Sequence, residues 1–105
     1  MRIMTTYKIR IDASAESDLK QLFGFLISVM SCEGANRYID MIMNEVISLS
    51  ILADIYSPSH YADIRRYHPR ARRMVSHNKR WVYVFHIEDD TVVVDRIIPS
   101  KLITK

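Results

Sequence analysis

RRMVSHNKRWVYVFHIEDDTVVVDRII, from Arg72 to Ile98, holds three β-type runs back to back. The pattern predicts strands over Arg72–Ser76, Arg80–Ile87 and Thr91–Ile98. The middle run is apolar on both faces, with Trp81, Tyr83, Phe85 and Ile87 pointing one way and Val82 and Val84 the other. A strand apolar on both faces belongs in the middle of its sheet. Glu88-Asp89-Asp90 is a tight polar break, so the second and third of these strands form a hairpin. The approach to them is basic: residues 65–80 hold seven Lys or Arg and no Asp or Glu.

Working back toward the start, Tyr7–Ile11 alternates. Tyr7, Ile9 and Ile11 lie on one face and Lys8 and Arg10 on the other, as in a half-buried strand. Asp12 and Ser14 are both able to accept the first N–H groups of a helix, and Glu16 and Asp18 fall in its first turn, where the helix dipole favours acids. Ala15, Leu19, Leu22, Phe23, Leu26 and Met30 recur at three and four, which predicts a helix from about Ala13 to Met30. Gly24 inside it costs about 1 kcal/mol relative to Ala and is suited to close approach of a neighbouring helix.

Ser31–Gly34 reads as the break before a second helix from about Ala35 to Ala53. Its stripe is Ala35, Ile39, Ile42, Val46, Leu49 and Ala53, widened by Met43, Ile47 and Ile51. A helix this broadly apolar is sandwiched inside the fold or meets a partner chain. The short break makes the two helices an antiparallel hairpin. Asp54 to Pro69 has no clean period and reads as an irregular crossing to the sheet. Pro99 is expected to end the last strand, because it cannot donate to the ladder. The order is β-α-α-β-β-β. It defines an α+β fold, a small antiparallel sheet with the N-terminal helical hairpin packed on one face.

At 105 residues, 49% apolar and 26% charged, the chain reads as one domain over residues 1–105 with a core that needs no staple. The net charge is only +3, but its clustering suits phosphate or an acidic protein partner, against a merely solvated loop. Cys32 is alone, which excludes an internal disulfide and a cysteine metal site. No apolar run reaches the ~18 residues of a membrane span. With no export-type start and no cysteine pair, the cytoplasm is the expected compartment.

His60, His68, His77 and His86 form no i, i+3 or i, i+4 pair, so no metal is expected. Only Gly24 and Gly34 are present, and no nucleotide-cradling loop or serine elbow occurs, so no cofactor is expected. His86 in the central strand reads as structural. His77, in the turn before Arg80, reads as exposed.

Arg72, Arg73, Lys79 and Arg80 are the positions suited to anion contact, since Arg offers a planar fork of N–H groups to phosphate or carboxylate. If the hairpin pairs about Asp89, Arg96 lies on the strand next to Arg80 and their charges share a surface. Such cations can stabilise charge developing on a phosphate while a His, Lys or Tyr moves the 2′-OH proton. They can equally bind an acidic partner segment. The spacing leaves both readings open.

Three stretches together resemble the RelE/ParE superfamily of bacterial toxin–antitoxin toxins. YKIRIDASAESDL, Tyr7–Leu19, is similar to the family's first strand and small-residue helix start, with Ala15-x-x-Asp18-Leu19. Ala35-x-x-Tyr38-Ile39 is similar to its second-helix start. Arg72-Arg73-Met74-Val75, the run Arg80–Phe85 and the run Val92–Ile98 are similar to its arginine-led meander.

The resemblance implies a toxin silenced by a co-encoded antitoxin in a hetero-oligomer, with no membrane. RelE-like members cut mRNA on the ribosome, and ParE-like members poison DNA gyrase. For the first activity the resemblance assigns Arg80, Arg73 and Lys101 as catalytic, but no Tyr or His follows Ile98 to move the proton. Asp95-Arg96-Ile97-Ile98 and the long helical hairpin resemble the ParE-like side, although Pro99-Ser100-Lys101 stands where a His and an Arg often follow. The expectation is therefore a ParE-like gyrase inhibitor. The alternative is a metal-independent mRNA endoribonuclease.

Overall fold

In the computed structural model, which describes residues 6–103, a four-stranded sheet carries two long helices on one face. The opening MRIMT and the final Thr-Lys of the tail lie outside the described residues. The elements are β1 (Lys8–Ile11), α1 (Ala13–Val29), α2 (Cys32–Leu52), α3 (Ala62–Arg65), β2 (Arg72–Val75), β3 (Trp81–Glu88) and β4 (Thr91–Pro99). Single 3₁₀ turns follow α2 at Ala53–Ile55 and β4 at Ser100–Leu102.

The sheet order is β1-β4-β3-β2. The meander β2–β3–β4 is antiparallel, and β1 joins the free side of β4 in parallel, Lys8 to Thr91 through Ile11 to Val94. A parallel partner was not part of the sequence expectation; it follows because the helical hairpin carries the chain across the sheet before β2 begins. As expected, β3 is central and buried from Val82 to His86. Its hairpin with β4 turns on Asp89 and Asp90 alone, and Asp89 has φ 56°, a region Asp tolerates better than most residues.

The helix boundaries follow their caps. Asp12 Oδ2 accepts from Ser14 N at 3.1 Å and starts α1. Ser31 Oγ accepts from Gly34 N at 3.0 Å and starts α2 three residues before the expected position. The break is thus only Met30-Ser31, since a capping serine satisfies the N–H groups that would otherwise keep the chain irregular. Gly24 meets no close neighbour: a Cβ there would have nothing within 4 Å, so close helix approach is not its reason.

Two clusters fill the fold. The larger joins Leu22, Leu26, Ile42, Val46 and Leu49 of the helices to Tyr83, Phe85, Val92 and Val94 of the sheet. The smaller lies on the opposite face, where Ile64 and Ala71 of the crossing pack on Val82, Val84 and Ile98. The widened stripe of α2 is not sandwiched. Ile47 is 54% exposed and Ile51 50% exposed, alongside exposed Ile55. No helix among the described residues is long and apolar enough to cross a membrane.

Candidate functional site

The turn between β2 and β3 is held by a chain of polar contacts that starts in the core. Buried Ser76 donates from Oγ to Asn78 Oδ1 at 2.7 Å and accepts from Trp81 N at 3.0 Å. Asn78 Oδ1 also accepts from Arg80 N at 3.0 Å. Trp81 Nε1 donates to Tyr38 Oη on α2 at 2.9 Å. Glu45, also on α2, accepts from His77 N at 2.6 Å and from the Tyr83 hydroxyl at 2.7 Å. Burial, then the Glu45 carboxylate, raises the Tyr83 phenol far above its ordinary value, so it stays protonated. Lys79 closes the turn at φ 67°.

This turn and the end of β4 present three cations together. Ser100 N donates to Arg80 O at 2.9 Å, and Ser100 Oγ donates to Lys79 O at 2.6 Å. Lys79, Arg80 and Lys101 consequently line one cleft of 410 Å3 with Phe25, Trp81, Pro99 and Ser100, a lining without a carboxylate. A second cleft of 350 Å3 adjoins it, sharing Phe25, Trp81 and Pro99 and adding apolar Leu22, Ile97 and Leu102 together with polar Gln21 and the Asp18–Arg96 pair. Phe25 is 61% exposed and Leu102 62% exposed on its rim. The result is a groove with apolar walls, three cations gathered at one end and the mutually neutralised Asp18–Arg96 pair at the other.

Of the other basic residues singled out in the sequence, Arg72 and Arg73 are placed elsewhere, and Arg96 lines the second cleft with its charge already paired. Arg72 points inward and donates from Nη1 to Tyr56 O at 2.7 Å and Ala53 O at 3.4 Å, tying β2 to the end of α2. Arg73 stacks over the Tyr61 ring at 4.8 Å and lines a separate cleft with His60 and Pro58. Arg96 does not converge with Arg80: it is registered with Val84, and its guanidinium grips Asp18 of α1 through Nε at 2.8 Å and Nη2 at 3.0 Å. Asp18 Oδ2 also accepts from Ile97 N at 2.9 Å, so this carboxylate caps the β4 edge where β1 has ended. The bond to Asp18 raises the Arg96 guanidinium further and fixes its charge.

His77 lines a different cleft, with Asp40 and Glu45. Neither His77 nor Tyr83 borders the cleft of Arg80 and Lys101. Among the described residues no group of three His, Cys, Asp or Glu is arranged to hold a metal ion. Sequence reasoning missed Phe25 and Trp81 as groove walls. Phe25 lies off the α1 stripe, which is a usable signal of exposure; the coupling of Trp81 to Tyr38 across the fold has none.

No protein-family model matches the chain. No curated protein matches it. Among solved structures, a chain of the chromosomal ParDE TA system from P. aeruginosa is similar, with a TM-score of 0.75 over 90% of this chain and 96% of that one. The sequences are 15% identical, so what the two share is the fold.

Proposed function

We propose that this protein is the toxin of a bacterial toxin–antitoxin pair, ParE-like, arresting growth by poisoning DNA gyrase in the cytoplasm until a cognate antitoxin binds it. The observation that carries this reading is the fold shared, nearly end to end, with a chain of a ParDE system. Together with the sequence motifs of the strand–helix start and the meander, it supports a toxin of that kind. The distribution of cations then favours the ParE-like side. Of the three residues a ribonuclease would require, Arg80 and Lys101 share a cleft but Arg73 lies in another, and no His or Tyr borders the first. Only Lys79 and Lys101 stand there to move a proton, so acid–base cleavage would rest on a lysine where the resemblance puts a His or Tyr.

The groove suits the antitoxin. An extended segment with apolar anchors seats against Phe25, Trp81 and Leu102, and its carboxylates meet Lys79, Arg80 and Lys101. Exposed Ile47 and Ile51 on α2 offer a second apolar contact, for the antitoxin or for gyrase.

One observation favours the ribonuclease alternative: Trp81 stands beside Arg80 and Lys101, and a nucleobase can stack on an indole whose neighbours hold the backbone phosphates. Induction in a bacterial host separates the two. The gyrase reading expects growth arrest with intact transcripts and broken chromosomal DNA. Growth arrest with transcripts cut within codons on the ribosome overturns it in favour of the alternative, and unaffected growth overturns both.

A further inference from the structure

On the sheet face opposite α1 and α2, the rings of His68 and His86 stack with centroids 3.7 Å apart and planes within 1°. His86 belongs to β3 and is 6% exposed. Its Nδ1 lies 2.7 Å from Asp95 Oδ2 and its Nε2 lies 3.2 Å from Glu88 Oε2. Asp95 is the extra residue of a bulge in β4, between Val94, registered with Phe85, and Arg96, registered with Val84. The bulge turns its carboxylate onto the imidazole. His68 ends the crossing segment, and its Nδ1 accepts from Arg70 N at 3.0 Å.

These contacts assign protons. A neutral imidazole has one N–H and one lone pair, so with a carboxylate oxygen on each nitrogen it would set a lone pair against an anion. With both carboxylates ionised, only the imidazolium satisfies Asp95 and Glu88 together; a protonated Asp95 donating to Nδ1 of a neutral ring holds the same proton on the other side of that hydrogen bond. His68 is the reverse case: an Nδ1 that accepts from a backbone N–H carries no proton, so this ring is neutral. The stack is therefore a cation over a neutral π ring, which is attractive. Two protons would place like charges face to face and remove the acceptor of Arg70 N. No proton would leave Nε2 opposed to Glu88.

We propose that the His68–His86 pair is a one-proton latch that fastens the crossing segment to the outer face of the sheet and loosens when the pair holds either two protons or none. Its release uncovers Val82, Val84 and Ile98, the floor of the smaller cluster. The charged groups around the pair are Asp95 and Glu88, with Asp12 at the start of α1 acting on Asp95, and Arg10 of β1 in the same cross-strand row as His86 through Val93. Burial raises the Asp95 carboxyl, and His86 and His68 oppose that rise. Taken alone, a raised carboxyl favours the closed form as pH falls, opposite in sign to the gain of a proton by His68. The latch does not depend on the gyrase reading.

Imidazole nitrogen NMR of the whole chain at about pH 7, where histidine charge is ordinarily in play, is the first test. We expect both ring nitrogens of His86 protonated and His68 with a bare Nδ1. A neutral His86 or a protonated Nδ1 on His68 overturns the proposal. Hydrogen exchange, corrected for intrinsic rate, is the second. Protection of the Ser59 and Ala71 amides, which donate to Ala71 O and His68 O, should pass through a maximum and fall on its acid side by up to about tenfold per pH unit, the limit for one linked proton. His68→Phe, which keeps a stacked ring but takes no proton, should abolish the acid fall. Protection that is flat with pH in the unaltered protein, or an acid fall retained in the variant, overturns it.

Discussion

Gly24 is in the middle of α1, exposed, with open space where a Cβ would stand. Its cost is backbone entropy with no packing return, so Gly24→Ala should stabilise the protein by about 0.5–1 kcal/mol. A shift of the urea midpoint at unchanged slope measures it. Asp18 is the contrasting residue. It answers a guanidinium and a strand-edge N–H at once, with only 13% of its side chain exposed. Asp18→Ala deprives both donors of their carboxylate and should cost about 2–3 kcal/mol, the worth of hydrogen bonds to a charged group. The same denaturation series tests this, and a cost under about 0.5 kcal/mol would show Asp18 to be an ordinary surface acid. Tyr83 sets the response to base. Its phenol and that of Tyr7, which donates to Asp54 Oδ1 at 2.7 Å, are both raised in the fold. Their contribution is complete below the ordinary tyrosine value of about 10 and is lost as pH rises through the folded values. Stability should therefore fall in strong base, and Tyr83→Phe should flatten that fall while giving up the Glu45 bond at neutral pH.

Elements are legible where pattern and cap agree. The alternation of Trp81–Ile87 predicts a central strand because burial on two faces leaves a two-faced apolar signature, and the structure places β3 between β2 and β4. The stripes of α1 and α2 are visible for the same reason. The start of α2 is not, because Ser31 reads as part of a break although its hydroxyl is the cap; Ser31→Ala should cost about 1 kcal/mol and fray the first turn. The parallel seat of β1 beside β4 is hidden, since strand neighbours across a helical hairpin leave no local mark. The site is half legible. Lys79 and Arg80 announce themselves by charge, but that Arg72 and Arg96 are spent on backbone carbonyls and on Asp18 depends on partners 16 to 78 residues away in the chain. The bulge that points Asp95 at His86 leaves no signal in the run Val92–Asp95.

Across the molecule, one end of the groove is cationic and the other sets apolar walls around the paired Asp18 and Arg96, so charge governs how fast an acidic partner arrives and apolar burial governs how long it stays. Reversing Lys79, Arg80 and Lys101 to Glu should slow association with the proposed antitoxin by at least about tenfold at low salt and flatten its dependence on ionic strength. Stopped-flow mixing across a salt series reads both. A toxin that acts on gyrase without cutting nucleic acid itself must show that action in a supercoiling assay with purified protein, DNA gyrase, ATP and relaxed plasmid. Blocked supercoiling with accumulating cleaved plasmid is expected, largely preserved in Arg80→Ala. Unimpaired supercoiling by folded protein that nonetheless arrests growth would contradict the gyrase reading.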